Sequence, residues 1–530
     1  MNIFTPDKEY RIEIRQFIES ELKKKFDKGV YSNKEHILEV LRFIYELHYS
    51  KICDIIRGVN SRNIISFLLY QIEIIENSET KHEQIQNVVF HKETIFYLLD
   101  LFVEKKNVEF DEILYFHENE LFHKLWIHAE KCIEYALAGN HVNMIGSKSN
   151  YIELFPSDSN LFLVQSEFDD FNKLFAEFQN DIKRNISLRA KYFKDVELKD
   201  EIIELVKDDE NTGFEKCFGL KYLEFEYLFL DMLINIGEIE RPNKIPCFSV
   251  NDILNISNQI DLPVEKLKVL ISGISLRKQN FEVKNREIWN YVQQERARKR
   301  PLIELSFNGN KYLLFSPKML GARIGGLAED LVLSPQNRIP LEWNNTGINK
   351  KFSNLNTKIG EWFETLTKDK LAEVGVWGFK PSGKLKISNI STIALDKGIG
   401  PADFIGYSSL LESVVVCECK LLDCVFDSKG IRSELGKFVN NKKNYFQKFQ
   451  EKIDWIKCNF ESVKRAVEWQ SKIVIPNKCN SIVYCFVTYY PTITEYIYDE
   501  IPIMTLAEFL DLLTNGSKDW PFKFGKLEIR

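Results

Sequence analysis

Apolar residues recur at helical spacing through the first half of the chain. Ile37, Leu41, Ile44 and Tyr45 share one stripe, as do Phe96, Leu99 and Val103, and charged side chains fill the opposite faces. The pattern predicts helices from residue 9 to about 139. It lapses over residues 138–160 into Gly, Asn, Ser and Pro, resumes from about 167 to 237, and breaks again at 242–246. Past the basic run from Arg296 to Pro301 the period changes. Residues 302–307 and 311–315 flank Asn308-Gly309-Asn310 and read as a β-hairpin. A helix over 356–372, with Ile359, Trp362, Phe363 and Leu366 as its stripe, precedes strand-like runs at 373–380 and 384–390. Later come an amphipathic helix over 431–456, a buried strand over 482–489 and a short edge strand over 501–504. The capping box Thr505-x-x-Glu508 opens a last helix.

These elements suggest four consecutive segments: a helical domain over 1–145, a second helical domain over 146–300, a β-hairpin linker over 301–345 and an α/β domain over 346–530. Within the second segment, residues 249–260 and 264–274 flank Asp261-Leu262-Pro263 in the outline of a helix-turn-helix. Its second helix offers Lys266 and Lys268 but no Arg, Asn or Gln to read base edges, which favours helix packing over DNA recognition.

The α/β domain is organised around the stretch from Gly398 to Lys420. Asp403 follows a Gly/Pro-rich turn, and Val414, Val415, Val416 and Cys417 form an uninterrupted apolar run that reads as a strand buried on both faces. Strand side chains alternate, so Glu418 and Lys420 project from the face that carries Val414 and Val416. Two charges at the end of a core strand either pair with each other or hold a metal ion and a water. The tripeptide Glu-x-Lys alone carries little, since it recurs at Glu21 to Lys23, Glu104 to Lys106 and Glu197 to Lys199. Its context here is specific: apolar strand before it, acid and turn upstream, amphipathic helix downstream.

In this setting Pro401-Ala402-Asp403 and Glu418-Cys419-Lys420 resemble the two halves of the motif of the PD-(D/E)XK, or restriction-endonuclease-like, nucleases. The resemblance covers residues 354–513, about a third of the chain. Periodicity gives a multidomain protein with an all-α amino-terminal half, and the resemblance implies that an α/β core follows, its mixed central sheet flanked by helices. The resemblance also implies a metal-dependent endonuclease acting on DNA, similar to bacterial restriction and antiphage-defence effectors. Asp403 and Glu418 would ligate Mg²⁺ or Mn²⁺ with the backbone carbonyl of Cys419, and Lys420 would orient a water and balance charge on the phosphate. An acid on the first helix often joins such sites, and Glu361 and Glu364 are the candidates. Glu364 shares its helical sector with Gly360, Thr367 and Leu371, whereas Glu361 shares one with Lys358, Thr365 and Lys368, so Glu364 is preferred. A non-catalytic nucleic-acid-binding or scaffold protein on an inactive nuclease fold is the alternative. The choice between DNA and RNA stays open.

Composition narrows the picture further. At 530 residues, 44% hydrophobic and 28% charged, the chain is of ordinary globular type. No stretch of about 20 residues is free of charge, which predicts no membrane span. The first residues mix acids and bases where a signal peptide has its apolar core, and the ten cysteines form no C-x-x-C pair, both of which predict a cytoplasmic protein with reduced thiols. Net charge of −6 argues against a chain that coats nucleic acid all over, yet between Lys429 and Lys472 there are 11 Lys/Arg against 5 Asp/Glu. Lys442 and Lys443 are the nucleic-acid-binding candidates in this segment. Lys442 projects into the apolar stripe between Val439 and Phe446, where it would snorkel or meet a phosphate.

No histidine follows His141, so catalysis in the α/β domain falls to carboxylates, lysine and metal. His123 and His128, five apart, are poorly spaced to share an ion and read as packing or capping residues. The helical half carries no Gly-rich phosphate loop and is expected to control the nuclease, by restraint or by delivery, through self-assembly or a regulatory protein partner.

Overall fold

The computed structural model describes residues 3–529 apart from 60, 79–84, 106–119, 146–150, 156–167, 195, 235, 237–238, 252–261, 282–295, 308, 335–338, 423–427, 441, 443, 499 and 516–523. The chain divides into two compact units, each assembled from two separated stretches. The first combines Met1–Phe168 with Ile203–Ser353, and the second combines Asp169–Ile202 with Asn354–Arg530. The four consecutive segments expected from periodicity are therefore corrected. Periodicity reports which faces are apolar, not which distant stretch covers them.

In the first unit the helices Lys8–Lys25, Lys34–Gly58, Ser61–Ser78, Ile85–Lys105 and Glu120–Ile145 bury the stripes seen in the sequence. Ile37, Leu41 and Ile44 meet Ile127, Tyr135 and Val142 in one core. This half is not all-α, however. Strand β1 (Gly29–Tyr31) pairs antiparallel with β2 (Ile152–Leu154). Strands β3 (Cys247–Ser249), β4 (Ser275–Leu276), β5 (Leu302–Phe307) and β6 (Asn310–Leu314) form a sheet in the order β3-β6-β5-β4. Strands of two or three residues are too short to show alternation, which is why they were not expected. The hairpin of β5 and β6 is the centre of this sheet and not a linker.

Most of the first helix of the proposed helix-turn-helix, residues 252–261, lies outside the described residues, and Ser249 ends β3. The second helix, Val264–Gly273, is engaged in packing. Trp343 Nε1 donates to the carbonyl of Val269 at 3.2 Å, and a Cβ on Gly273 would lie 2.2 Å from that nitrogen. Lys266 donates to the Lys216 carbonyl and Lys268 pairs with Glu265. The basic run is likewise absorbed internally, through Arg296 with Asp100, Arg298 with Glu93, Lys299 with Asp330 and Arg300 with Glu342.

The second unit is built on a mixed sheet. Strands β7 (Val376–Phe379), β10 (Phe404–Ser408) and β11 (Ser413–Lys420) are successively antiparallel, and β11, β12 (Ser481–Thr488) and β13 (Ile503–Thr505) are parallel. Strand β14 (Gly525–Glu528) runs antiparallel to the first half of β12. Strands β8 (Lys384–Lys386) and β9 (Thr392–Ala394) make a separate hairpin where one strand over 384–390 was expected.

On one face of the sheet, Ile405, Val414, Val416 and Phe486 pack against Phe438, Phe449, Ile453 and Val463. These come from a region expected to hold one helix over 431–456. It is instead broken into Ser428–Leu435, a π-turn over Gly436–Asn440, Tyr445–Cys458 and Phe460–Ser471. Asn444 causes the restart, because its side chain accepts from the Gln447 N–H at 2.8 Å and so caps a new helix.

On the other face the helix Ile348–Glu373 brings Thr367 to Cys419, and its Trp362 and Phe363 meet the Tyr489 ring. The helix Phe168–Tyr192 also belongs to this unit. Arg184 pairs with Glu508 at 2.8 Å, and Lys191 and the Tyr192 hydroxyl reach Asp511. Glu508 is the capping-box acid, accepting from the Thr505 N–H at 3.0 Å and its hydroxyl at 2.8 Å. Among the described residues no helix is long and apolar enough to cross a membrane.

Candidate active site

The antiparallel register of β10 and β11 pairs Phe404 with Cys417 and so sets Asp403 beside Glu418. Phe404 fixes the sides. Its ring covers the cross-strand glycine pair Gly378 and Gly406, where an added Cβ would come within 2.4 and 2.7 Å of Phe404 Cζ. With Phe404 anchored on that face, alternation turns Asp403 to the opposite one, the face that carries Glu418 and Lys420. Two backbone bonds hold the acid in place: Asp403 N–H donates to the Cys417 carbonyl at 3.2 Å, and Cys419 N–H donates to Asp403 Oδ2 at 2.8 Å.

The charged groups then interlock. Lys420 Nζ lies 2.9 Å from Glu418 Oε1, 2.9 Å from the Cys419 carbonyl oxygen and 3.5 Å from Asp403 Oδ2. It also stands 5.3 Å from the centroid of the Tyr445 ring. Lys452 Nζ, from the helix Tyr445–Cys458, takes the other oxygen of Glu418 at 2.6 Å. Burial, joined by the charges of Glu418 and Glu364 and opposed by Lys420, lifts the Asp403 carboxyl from 3.8 to about 6. For Lys420, burial alone would favour the neutral amine, but Glu418 and Asp403 outweigh it and raise its pKa. Lys420 therefore holds its proton throughout the neutral range.

Glu364 is half-buried and pairs with Lys380, at the end of β7. That hydrogen bond raises the Lys380 pKa, and the charge of Asp403 adds to the effect. Glu361 is exposed. The structure thus brings Asp403, Glu418 and Lys420 into contact and sets Glu364 within electrostatic reach of Asp403. It does not bring Lys442 there. With the helix interrupted, Lys442 sits exposed in a turn and on no apolar stripe, and Lys443 lies outside the described residues. Sequence reasoning missed Lys452, although the signal was present: it stands between Phe449, Ile453 and Ile456, a lysine on a buried stripe. Lys380 gave no comparable signal, because only the packing of β7 against the helix Ile348–Glu373 brings it to Glu364.

The donor set suits a hard divalent cation. Two carboxylates and the Cys419 carbonyl supply oxygen ligands, and Asp403 Oδ1 has no partner among the described residues. Among those residues no three His, Cys, Asp or Glu gather as a metal cage. Two carboxylates completed by water and substrate phosphate oxygens is the mode Mg²⁺ uses. Lys420 would have to release the Cys419 carbonyl for that oxygen to serve.

No family model, curated protein or solved structure matches this chain.

Proposed function

We propose that the chain is a metal-dependent nuclease that hydrolyses phosphodiester bonds of DNA, with its second unit arranged as in the PD-(D/E)XK nucleases. One observation carries the reading: Asp403, Glu418 and Lys420 leave adjacent antiparallel strands on one face, and the Cys419 N–H fixes Asp403 between them. Asp403, Glu418 and the Cys419 carbonyl would hold Mg²⁺ or Mn²⁺, which supplies charge neutralisation and an acidified water. In hydrolysis a water oxygen bonds to phosphorus as the bond to the leaving oxygen breaks. Lys420, kept protonated by its two acids, donates to the phosphate oxygens as charge builds there and does not serve as the base. Lys452 keeps Glu418 oriented. The helical unit restrains or delivers this activity, in the manner of restriction and antiphage-defence effectors.

A second reading has its own observation. Asp403, Glu418 and Glu364 are matched one for one by Lys420, Lys452 and Lys380, so the cluster is balanced without a metal, as a nucleic-acid-binding or scaffold protein on an inactive nuclease fold would have it. Incubating the full chain with plasmid, single-stranded DNA and RNA, in Mg²⁺, Mn²⁺ or EDTA, separates the two. Cleavage that needs the metal and is lost in Glu418→Gln, with binding retained, supports the nuclease. Intact substrate under every condition leaves the binding protein.

A further inference from the structure

We infer that the hairpin of β8 and β9 is a wedge that inserts Ile390 into duplex DNA beside the candidate site, an inference that rests on the nuclease reading. Ile390 is 99% exposed, more than any other large apolar side chain among the described residues. Its position is fixed by the tip itself. Ile387 N–H donates to the Ser391 carbonyl, and the Ser388 hydroxyl oxygen accepts from both Ile390 N–H and Ser391 N–H. An apolar side chain displayed at a closed turn gains nothing from the fold, since nothing of its own unit covers it.

The root of the hairpin is as firmly held as its tip is bare. Leu385 is fully buried, and with Pro381, Leu395 and Ile399 it lines an apolar hollow whose far wall is Lys452, Trp455 and Ile456. Lys452 is the residue that holds Glu418. Beyond β9 the chain runs through a turn, Gly400 and Pro401 into Asp403. The arm is thus tied to the candidate site at both ends of its base.

The chemistry of the arm selects its occupant. Lys384, Lys386 and Lys397 are exposed, against Asp396 as the one acid between residues 380 and 400, which complements a polyanion. The excess of lysine complements the phosphates of a duplex, and binding to vesicles of anionic lipid without binding to duplex DNA would overturn this choice of occupant. An aliphatic tip also separates duplex from single strand: unpaired bases are held by stacking on aromatic rings, whereas Ile, Leu, Met and Phe serve as wedges between stacked base pairs. Lysines on the flanks to grip phosphates and an isoleucine at the apex to part a base step is the arrangement a duplex requires.

The test uses the full chain in EDTA, so that cutting does not intervene, with a short duplex carrying 2-aminopurine in place of every adenine of one strand. Binding by the wild-type chain should raise the 2-aminopurine fluorescence several-fold as a step unstacks. Ile390→Ser should bind within a few-fold of wild type but lose the rise, and Ile390→Met should keep it. Lys384→Ala with Lys386→Ala should lower the slope of log affinity against log salt by about 2. Being exposed, none of these side chains supports the fold. An equal rise in Ile390→Ser, binding to single strands alone, or no duplex binding overturns the inference. Cleavage assayed in parallel with Mg²⁺ keeps the two readings apart. Unstacking without cleavage removes the nuclease and leaves the wedge, whereas cleavage with no loss of signal in Ile390→Ser removes the wedge and leaves the nuclease.

Discussion

Lys452 Nζ lies 2.6 Å from Glu418 Oε2, and both side chains are nearly buried. A core acid held by two lysines is stable only while both remain. Lys452→Met removes one hydrogen-bonded cation and should cost about 1–3 kcal/mol, read as a lower urea midpoint for the second unit. Adding Glu418→Gln should recover part of the loss, because the uncompensated charge goes with it. Strictly additive losses in the double variant would mean that the pair is not coupled.

Gly378 and Gly406 face each other across β7 and β10 under the Phe404 ring. Gly378→Ala would set a Cβ 2.5 Å from the Ile405 carbonyl oxygen and so force the strands apart. Overpacking of this kind costs about 1–3 kcal/mol. Because Phe404 sets the side on which Asp403 projects, the variant should lose more of the proposed metal-dependent cleavage than its stability loss explains. Measuring activity at a temperature where the variant stays folded checks this.

Glu434 is buried and accepts from the Thr494 N–H at 3.1 Å and the Thr494 hydroxyl at 2.8 Å. Burial raises its carboxyl from 4.5 to about 7, against the pull of those two bonds. A folded pKa above the unfolded one means stability that is whole below about pH 4.5 and lost as pH rises through about 7. Glu434→Gln keeps an oxygen for Thr494 and never ionises. It should raise the unfolding midpoint at pH 8 by an amount on the order of 3 kcal/mol and change little at pH 4.5. A midpoint lowered at both pH values would show that the acid is needed in its charged form.

His48 and His128 meet through their Nδ1 atoms at 2.8 Å, both buried, so one ring donates and the other must be neutral to accept. Burial depresses the pKa of each, with His48 lowered further by the His128 charge, and takes His128 from 6.5 to about 4. The first unit should then be fully stable above about pH 6.5 and lose stability as pH falls toward 4, by about 3 kcal/mol for His128 alone. His128→Asn should flatten that part of the profile. A wild-type profile already flat between pH 7 and 4.5 would refute the pairing.

What the sequence disclosed of this site followed from one regularity. Alternation along β11 placed Glu418 and Lys420 together, and the Gly/Pro turn before Asp403 brought the acid to the neighbouring strand, so three residues were legible from local pattern alone. Lys452 was legible as well, as a lysine on the stripe of Phe449, Ile453 and Ile456, but it went unread, and Lys442 was misplaced because its position depends on where a helix begins. Asn444 moved that beginning, and the lysine credited with facing the site, Lys442, went to solvent. The strands β1 to β4 were illegible for a different reason. Each is too short to alternate, and β1 finds its partner β2 only after most of the first helical segment has passed. Helix Phe168–Tyr192 looked like any other amphipathic helix, and nothing in its stripe distinguished the second unit from the first as its destination.

That destination changes how the chain can be divided. A fragment beginning near Arg300 lacks Arg184, Lys191 and Tyr192, the partners of Glu508 and Asp511. Residues 354–530 alone should therefore give weak near-ultraviolet circular dichroism, and an added peptide of residues 169–202 should restore it. A fragment 354–530 as stable alone as with the peptide would show the helix to be dispensable.

Because the path enters the second unit, leaves it for the first, and returns, the order of synthesis is not the order of assembly. Helix Phe168–Tyr192 emerges long before Glu508 and Asp511, the acids it pairs with, and must remain without them while the rest of the first unit is made. The sheet closes only when β12, β13 and the last helix have been translated. Asp403 and Glu418 are thus set in a finished framework only after residues 481–515 have been made, so a nascent chain that stops before them carries no assembled cluster of Asp403, Glu418 and Lys420. A single nick where the path crosses between units would likewise leave every piece held by its neighbours.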